Sequence, residues 1–310
     1  MVERFVPRDV IPAVMLPFDS ELRIDEKAYR SHLRDLMAVN GVSALTINAH
    51  STETHALSFV EQKRVLDITL DEVGGKLPII SGIAAGSSLE AAALARQAEA
   101  AGAKCLLILP VNIFTKGDTH PPQVVLNHFR IIAEACSLSM IVFNYPIPGL
   151  GYRTDTLVQL AEEIPQVVAI KDLCGDPVQH ERNIRALHSL KRPFSVLTSH
   201  NNWLMSSLVM GADGILSGSG SVIADLQVEL WQAVKDKDLL KAQAVNDRIW
   251  PIADVFYSSP GIDVHNRCKE ALVLLGRQKS AYVRPPLLKL SDIEISRIQK
   301  ALISGGLLKG

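Results

Sequence analysis

Val167-Val168-Ala169-Ile170-Lys171-Asp172 is the stretch from which the fold is read. Its first part is short, apolar and rich in β-branched side chains, the composition of a strand buried on both faces. An ammonium group then stands directly at the carboxyl end of that strand, followed by a carboxylate. Burying a lysine is costly unless it is paired or neutral. In a parallel α/β protein, however, the carboxyl end of a strand is where ligands bind. A lysine there, with its pKa lowered by desolvation, can attack a carbonyl carbon and form a Schiff base. The local alternative is a lysine that snorkels to solvent or pairs with Asp172.

Runs of the same kind recur on either side of it. They predict strands at Val10 to Leu16, Ala44 to Asn48, Pro78 to Ile83, Lys104 to Leu109, Met140 to Asn144, Val167 to Lys171, Phe194 to Thr198 and Gly214 to Ser217. Amphipathic segments lie between them, such as Asp25 to Val39, Phe59 to Val73 and Ser88 to Ala101. Ser58 and Ser87 or Ser88 stand where N-caps belong, and Gly41, Gly102 and Gly211 fall between a helix and the next strand. Alternating β and α units in this number predict a closed (β/α)8 TIM barrel rather than an open sheet.

Beyond about Asp225 no strand pattern remains. Leu226 to Lys235, Leu239 to Val255, Arg267 to Leu275 and Asp292 to Ile303 predict helices, with Arg284-Pro285-Pro286 as a stiff connector. The expected organisation is a barrel over 1–225 and a C-terminal helical extension over 226–310 packed on it. The extension supports a lid or an oligomer surface, or simply caps the barrel.

Composition narrows the function. The chain has 310 residues, 47% hydrophobic and 21% charged, with a net charge of -1, which suggests neither nucleic acid nor an anionic membrane as partner. No run is long enough to span a bilayer, and Met1-Val2-Glu3-Arg4-Phe5 lacks the apolar core of a secretory signal. Cys105, Cys136, Cys174 and Cys268 are widely spaced, which fits reduced thiols in a cytoplasmic protein. Cys174 lies close to Lys171 in sequence and either lines the same cleft or packs as a small residue. No phosphate-binding glycine loop, zinc spacing or nucleophile elbow is present. The expectation is therefore chemistry without a cofactor and without a metal.

In Ile11-Pro12, Pro17-Phe18, Ala169-Ile170-Lys171-Asp172 and Gly211-Ala212-Asp213-Gly214-Ile215-Leu216-Ser217-Gly218, in that order and spacing, the chain resembles the dihydrodipicolinate synthase and N-acetylneuraminate lyase family. The resemblance runs from about Val10 to the C-terminus. It implies class I aldolase or lyase chemistry on 2-keto acids, with Lys171 as the Schiff-base lysine, and a homo-oligomer, usually a dimer of dimers.

Three departures from the family pattern carry as much information. Where the family has Gly-Thr-Thr-Gly-Glu to hold the keto-acid carboxylate, this chain has Ala49-His50-Ser51-Thr52-Glu53. Ser51, Thr52 and nearby amides remain as carboxylate donors, since that task needs donors and not a particular side chain. His50 contacts substrate, acts as a general acid or base, or is structural; Glu53 reads as a structural carboxylate. Where the family has Tyr-Asn-x-Pro, whose phenol relays protons, this chain has Phe143-Asn144-Tyr145-Pro146. Phe143 has no proton to move. Tyr145, two residues on and so on the same side of an extended strand, either supplies the phenol or forms a half-buried wall. Where dihydrodipicolinate synthases have an arginine two residues after that proline, this chain has Pro148, with Arg153 out of register. The paired interface tyrosine is also missing from Pro110-Val111-Asn112-Ile113-Phe114.

Lys171, Tyr145 and His50 are thus the expected catalytic residues. Ser51, Thr52, Phe143 and Ser217 are the expected substrate contacts. The reaction class is a Schiff-base lyase (aldolase, dehydratase or deaminase) of a 2-keto acid or related cyclic imine. The alternatives are 4-hydroxy-tetrahydrodipicolinate synthase proper, a keto-acid-binding barrel without turnover, and a metal-dependent aldolase built on His50, His55, His120 and His128. The last set lacks a carboxylate-histidine ligand spacing.

Overall fold

A computed structural model describes residues 4–115, 121–145 and 151–310. Eight parallel strands, β1 (Asp9–Pro12), β2 (Leu45–Ile47), β3 (Ile79–Ile83), β4 (Cys105–Ile108), β5 (Ser139–Asn144), β6 (Val167–Asp172), β7 (Ser195–Thr198) and β8 (Gly214–Ser217), run in the order β1-β8-β7-β6-β5-β4-β3-β2. The bridges Val10 to Val42 and Ala13 to Thr46 join the two ends of that order. The Val14 N–H donates to the Thr46 carbonyl at 2.8 Å beside them. The sheet is closed into the expected (β/α)8 barrel.

Helices α1 (Glu26–Met37), α2 (Phe59–Val73), α3 (Ser88–Ala101), α4 (Pro122–Ala135), α5 (Thr154–Glu163), α6 (Pro177–His188), α7 (Leu204–Val209) and α8 (Gly220–Lys235) follow the strands in turn. Their boundaries are set by local chemistry. Ser58 and Glu61 form a reciprocal capping box at the start of α2, with N···O distances of 2.9 and 3.2 Å. Gly102 ends α3 at φ 108°, in the left-handed region that a side chain would disfavour. Strand β8 comes so close to β1 that a Cβ on Gly214 would lie 2.2 Å from the Asp9 carbonyl oxygen.

Alternation along the strands separates two shells. Cys105 and Leu107 of β4, Ile141 and Phe143 of β5 and Ala169 of β6 fill the barrel interior. Leu106, Ile108, Met140, Val142 and Ile170 face the helices. Continuing this alternation turns Lys171 inward and Asp172 outward, and the register pairs Phe143 with Lys171 and Asn144 with Asp172.

The C-terminal extension is α9 (Leu239–Phe256), α10 (Val264–Leu274) and α11 (Asp292–Ser304). Its apolar cluster is continuous with α8 and with Val10 and Ile215 of the barrel. Arg267, wholly buried, ties the parts together: its guanidinium donates to the Ser258 carbonyl at 2.8 Å and meets Glu294 of α11 at 3.0 Å. Residue 225 lies inside α8, which packs against β1 and β8 as the eighth barrel helix. The stretch read as the first helix of the extension, 226–235, is the second half of α8; its first turn, Gly220-Ser221-Val222-Ile223, has no side-chain N-cap to mark it. No helix among the described residues is long and apolar enough to cross a membrane.

Candidate active site

The inward turn of Lys171 places an amine on the barrel wall near its carboxyl end, only 6% exposed. Its Nζ lies 4.1 Å from the centroid of the Phe143 ring on the neighbouring strand. Among the described residues no carboxylate lies within ion-pairing distance of it. Burial holds its pKa down at about 7, so a large fraction is neutral and nucleophilic near neutrality. Neither local alternative describes this lysine, since it is not exposed and does not pair with Asp172.

Asp172 points the other way, among the helices. Its Oδ1 accepts hydrogen bonds from Asn144 Nδ2 (2.9 Å) and the Cys174 N–H (3.1 Å), and its Oδ2 accepts one from Asn183 Nδ2 (3.0 Å). His180 Nδ1 lies 2.8 Å from the same Oδ2, and its Nε2 lies 2.7 Å from Ser207 Oγ. Burial would raise the Asp172 pKa, but the His180 hydrogen bond and charge outweigh it and the net shift is downward. A fully bonded buried carboxylate thus pins the end of β6 to β5, α6 and α7 and fixes the height at which Lys171 leaves the wall.

Facing Lys171 is a wall of three rings. Phe143, Tyr145 and His50 lie with centroids 5.2 to 5.4 Å apart, tilted or edge to face. Burial, and then the charges of Lys171 and His55, hold the His50 pKa at about 4, so this imidazole is neutral. Burial raises the Tyr145 pKa, so the phenol keeps its proton. The sequence expectation that Tyr145 sits on the Phe143 side therefore matches its position beside His50 and Phe143.

The substrate-contact set divides. Ser51 is 2% exposed and its Oγ has no hydrogen-bond partner among the described residues, a hydroxyl of the kind a ligand satisfies. Thr52 is committed elsewhere: its Oγ1 donates to the Val14 carbonyl at 3.1 Å and accepts from the Ala49 N–H at 3.4 Å. Ser217 is committed as well, donating to Asn201 Oδ1 at 2.6 Å and lying 2.8 Å from Ser219 Oγ. Both hydroxyls brace the barrel mouth from behind. Pro148 lies outside the described residues, and Arg153 is exposed and paired with Asp155 at 3.3 Å.

Glu53 closes the 50–53 turn at φ 54°, in the left-handed region. Its carboxylate is fully buried in an ion pair with Lys269 of α10 and accepts the Arg284 N–H at 3.3 Å. Lys269 also donates to the Tyr282 carbonyl at 3.0 Å and lies 4.3 Å over the Phe18 ring. This pair, which joins the extension to the turn carrying Ser51, bears out the structural reading of Glu53.

Two features had no sequence signal strong enough to find them. One is His265 of α10, whose ring borders Gly218 just past β8; a Cβ on Gly218 would lie 3.6 Å from its Nε2. Burial, then the charges of His50 and Lys171, hold its pKa well below the usual range. The other is the group Asp172, Cys174, His180 and His200, whose donor atoms all lie within 4.8 Å of one another. The 2.8 Å His180–Asp172 contact is a hydrogen bond, shorter than the ~3.3 Å between ligands of a tetrahedral ion with bonds of about 2.0 Å. As arranged, this group is a hydrogen-bond network around Asp172. Cys174 belongs to it, with Sγ 3.7 Å from His200 Nε2, and its thiol pKa is pushed up to about 12 by burial and by the Asp172 charge.

The chain is a (β/α)8 barrel with an amine, two imidazoles, a phenol and the Ser51 hydroxyl at the carboxyl end of its strands. It belongs to the Dihydrodipicolinate synthetase family, whose model matches residues 6–304. It is 31% identical over 303 residues to the 4-hydroxy-tetrahydrodipicolinate synthase of Methanopyrus kandleri, covering 96% of each chain. It is 26% identical over 298 residues to the Escherichia coli protein YagE, provisionally named a 2-dehydro-3-deoxy-D-gluconate aldolase, covering 94% of this chain and 95% of that one. The crystal structure of YagE in complex with pyruvate superposes with a TM-score of 0.89 at 23% identity, over 97% of this chain and 99% of that one, a likeness of fold.

Proposed function

We propose that the protein is a class I lyase that binds a 2-keto acid as a Schiff base on Lys171. The observation that carries this reading is the buried lysine with no carboxylate partner among the described residues and a pKa of about 7. The neutral amine attacks the keto carbon, and loss of water leaves an imine. Once protonated, that imine draws electrons from the neighbouring carbon, which becomes acidic or can release a bonded fragment. Ser51, whose hydroxyl has no partner among the described residues, holds the keto-acid carboxylate. Tyr145, protonated, and His50, neutral, face the same space and are the groups available to move protons.

Relatives in the family include a named synthase and a provisionally named aldolase. Phe143 in place of a phenol and Pro148 in place of an arginine weigh against the synthase reaction. The arrangement favours cleavage, dehydration or deamination of the imine over addition of a carboxylated aldehyde. On this reading no prosthetic group takes part, and the working form is a homo-oligomer in the cytoplasm. The described cysteines are all free, which suits a reducing compartment.

The test is borohydride reduction in the presence of pyruvate, read by intact mass and peptide mapping. A reduced adduct on Lys171, absent from Lys171→Ala, is expected. Labelling of other lysines alone, or of none across a panel of 2-keto acids, sinks the proposal. An adduct with no turnover on any member of the panel would mark a binding barrel instead.

A further inference from the structure

Where the chain leaves α10, residues 276–280 run beside α1 and the first turn of α8, on the outside of the barrel. Two adjoining hollows of about 290 and 500 Å3 lie there, and Ser31, Gly276 and Arg277 border both. No residue assigned to the Lys171 site borders either of them. Each hollow is lined by a buried polar side chain with unused hydrogen-bonding capacity. Gln278, 7% exposed, borders the smaller one, and neither end of its amide has a partner among the described residues. His32 of α1, 1% exposed, borders the larger, and its Nδ1 likewise has no partner among the described residues. Buried polar groups without a protein partner are few in a folded chain, and each calls for something else to satisfy it.

What His32 Nδ1 can do follows from the other nitrogen of the ring. Nε2 lies 3.3 Å from Ser221 Oγ. That hydroxyl donates its one proton to the Ala13 carbonyl at 2.9 Å and accepts the Met15 N–H at 3.0 Å. Nε2 must then be the donor to Ser221, which leaves Nδ1 as a bare lone pair. Burial, and then the charge of Arg277, hold the His32 pKa at about 4, so the ring stays neutral. The larger hollow thus offers an acceptor on His32 and the carboxylates of Asp35 and Asp225, neither of which is ion-paired among the described residues. An ammonium placed there would meet Arg277, which borders the same hollow. Hydroxyl groups donate to all three acceptors without adding charge.

The smaller hollow has the opposite character. Lys27, Arg277 and Lys279 border it, and none of them pairs with a carboxylate among the described residues. Arg277 donates to the Val222 carbonyl at 2.7 Å, which holds it against α8. One carboxylate borders this hollow, Asp25, and it caps α1 by accepting the Ala28 N–H at 3.0 Å. Three cations against one anion leave an excess of two positive charges. That matches the charge of a phosphate monoester and is twice what a single carboxylate supplies. We propose that this groove is a second binding site, for a phosphorylated polyol. The phosphate lies among Lys27, Arg277, Lys279 and the Gln278 amide, and the hydroxylated body lies against His32, Asp35 and Asp225.

The full chain is titrated by calorimetry with sorbitol 6-phosphate, inorganic phosphate and sorbitol, none of which has a carbonyl to form an imine. Wild type is expected to bind sorbitol 6-phosphate at least tenfold more tightly than phosphate, and sorbitol more weakly than either. Lys279→Gln weakens both phosphate-bearing probes by about tenfold, the loss of one hydrogen bond to a charged group. Gln278→Leu weakens both as well, by a few fold. Asp225→Ala weakens sorbitol 6-phosphate alone and leaves phosphate unchanged. Urea midpoints equal to that of wild type report that the variants fold. Lys171→Ala binds all three probes as wild type does, so this proposal and the Schiff-base reading stand or fall separately. No binding of either phosphate-bearing probe, equal affinity for the two, or no loss in Lys279→Gln and Gln278→Leu overturns the assignment. Loss of binding in Lys171→Ala overturns it too, since the probe would then lie in the barrel.

Discussion

Two lysines are buried among the described residues, and the contrast between them separates reactivity from structure. Lys171 and Lys269 each lie over an aromatic ring, at 4.1 Å from Phe143 and 4.3 Å from Phe18. Lys269 has a buried carboxylate, Glu53, and a carbonyl, that of Tyr282, as partners. Among the described residues Lys171 has neither, because the carboxylate next to it in sequence is turned to the opposite side of the sheet and fully bonded there. Burial lowers the Lys269 pKa as well, but an ammonium with a buried counter-charge is supported in its charged form by that partner. One without it is pushed toward the neutral form, and only that form attacks a carbonyl.

Replacing the two lysines breaks the comparison in opposite ways. Lys171→Met is expected to abolish turnover, by on the order of 10⁴-fold or more as for other covalent nucleophiles, while leaving stability at neutral pH unchanged or higher. The sign follows from linkage. The folded pKa of about 7 lies below that of an unfolded lysine, so the unfolded chain binds the extra proton between about pH 7 and 10. Stability should rise with pH across that window in the wild type and lose that rise in the variant. Urea denaturation at several pH values checks it, and a variant less stable than wild type at pH 7 would contradict the assignment.

Lys269→Met leaves Glu53 buried without its counter-charge, and a loss of roughly 3–5 kcal/mol is expected. The double variant Glu53→Gln with Lys269→Met should recover much of it, since no uncompensated charge remains. Denaturant midpoints of the singles and the double decide this; additive losses would show that the pair does not act as a unit. Next in size is Tyr145→Phe. If the phenol beside His50 moves protons, turnover falls by about 10²-fold, with trapping of pyruvate on Lys171 retained. A loss of trapping in parallel would place Tyr145 in imine formation or in the wall instead.

How far the sequence could be read follows from the same residues. The barrel was legible because each strand is a short apolar run bounded by turn residues, and period-two alternation placed Tyr145 on the Phe143 side. The site was legible where it lies on one strand end. It was not legible where it depends on partners far apart in the chain. Glu53 and Lys269 are 216 residues apart, and nothing local announces that pair or the His265 that comes with it. Thr52 and Ser217 carry the right chemistry at the right place, yet backbone and side-chain partners already hold their hydroxyls. Sequence shows which hydroxyls are near a site; only packing shows that, of Ser51, Thr52 and Ser217, Ser51 has no hydrogen-bond partner among the described residues.

The smallest effect concerns the ring beneath the amine. A lysine ammonium over an aromatic face is favoured by roughly 0.5–2 kcal/mol, a term that works against the desolvation of Lys171 and keeps its pKa from falling further. Phe143→Leu preserves an apolar wall and removes the ring, so the charged form loses support and the pKa moves down from about 7. At 1.36 kcal/mol per unit the expected displacement is about 0.4 to 1.5 units. The midpoint of imine formation with pyruvate against pH should move toward acid by that amount, with the plateau rate at high pH little changed. The equivalent change at Phe18, which also stacks on Arg284 at 4.5 Å, should lower stability and leave the midpoint where it was. A Phe143→Leu midpoint that moved toward base would mean that water, not apolar wall, had replaced the ring, and that the depressed pKa depends on exclusion of solvent by Phe143 more than on its face.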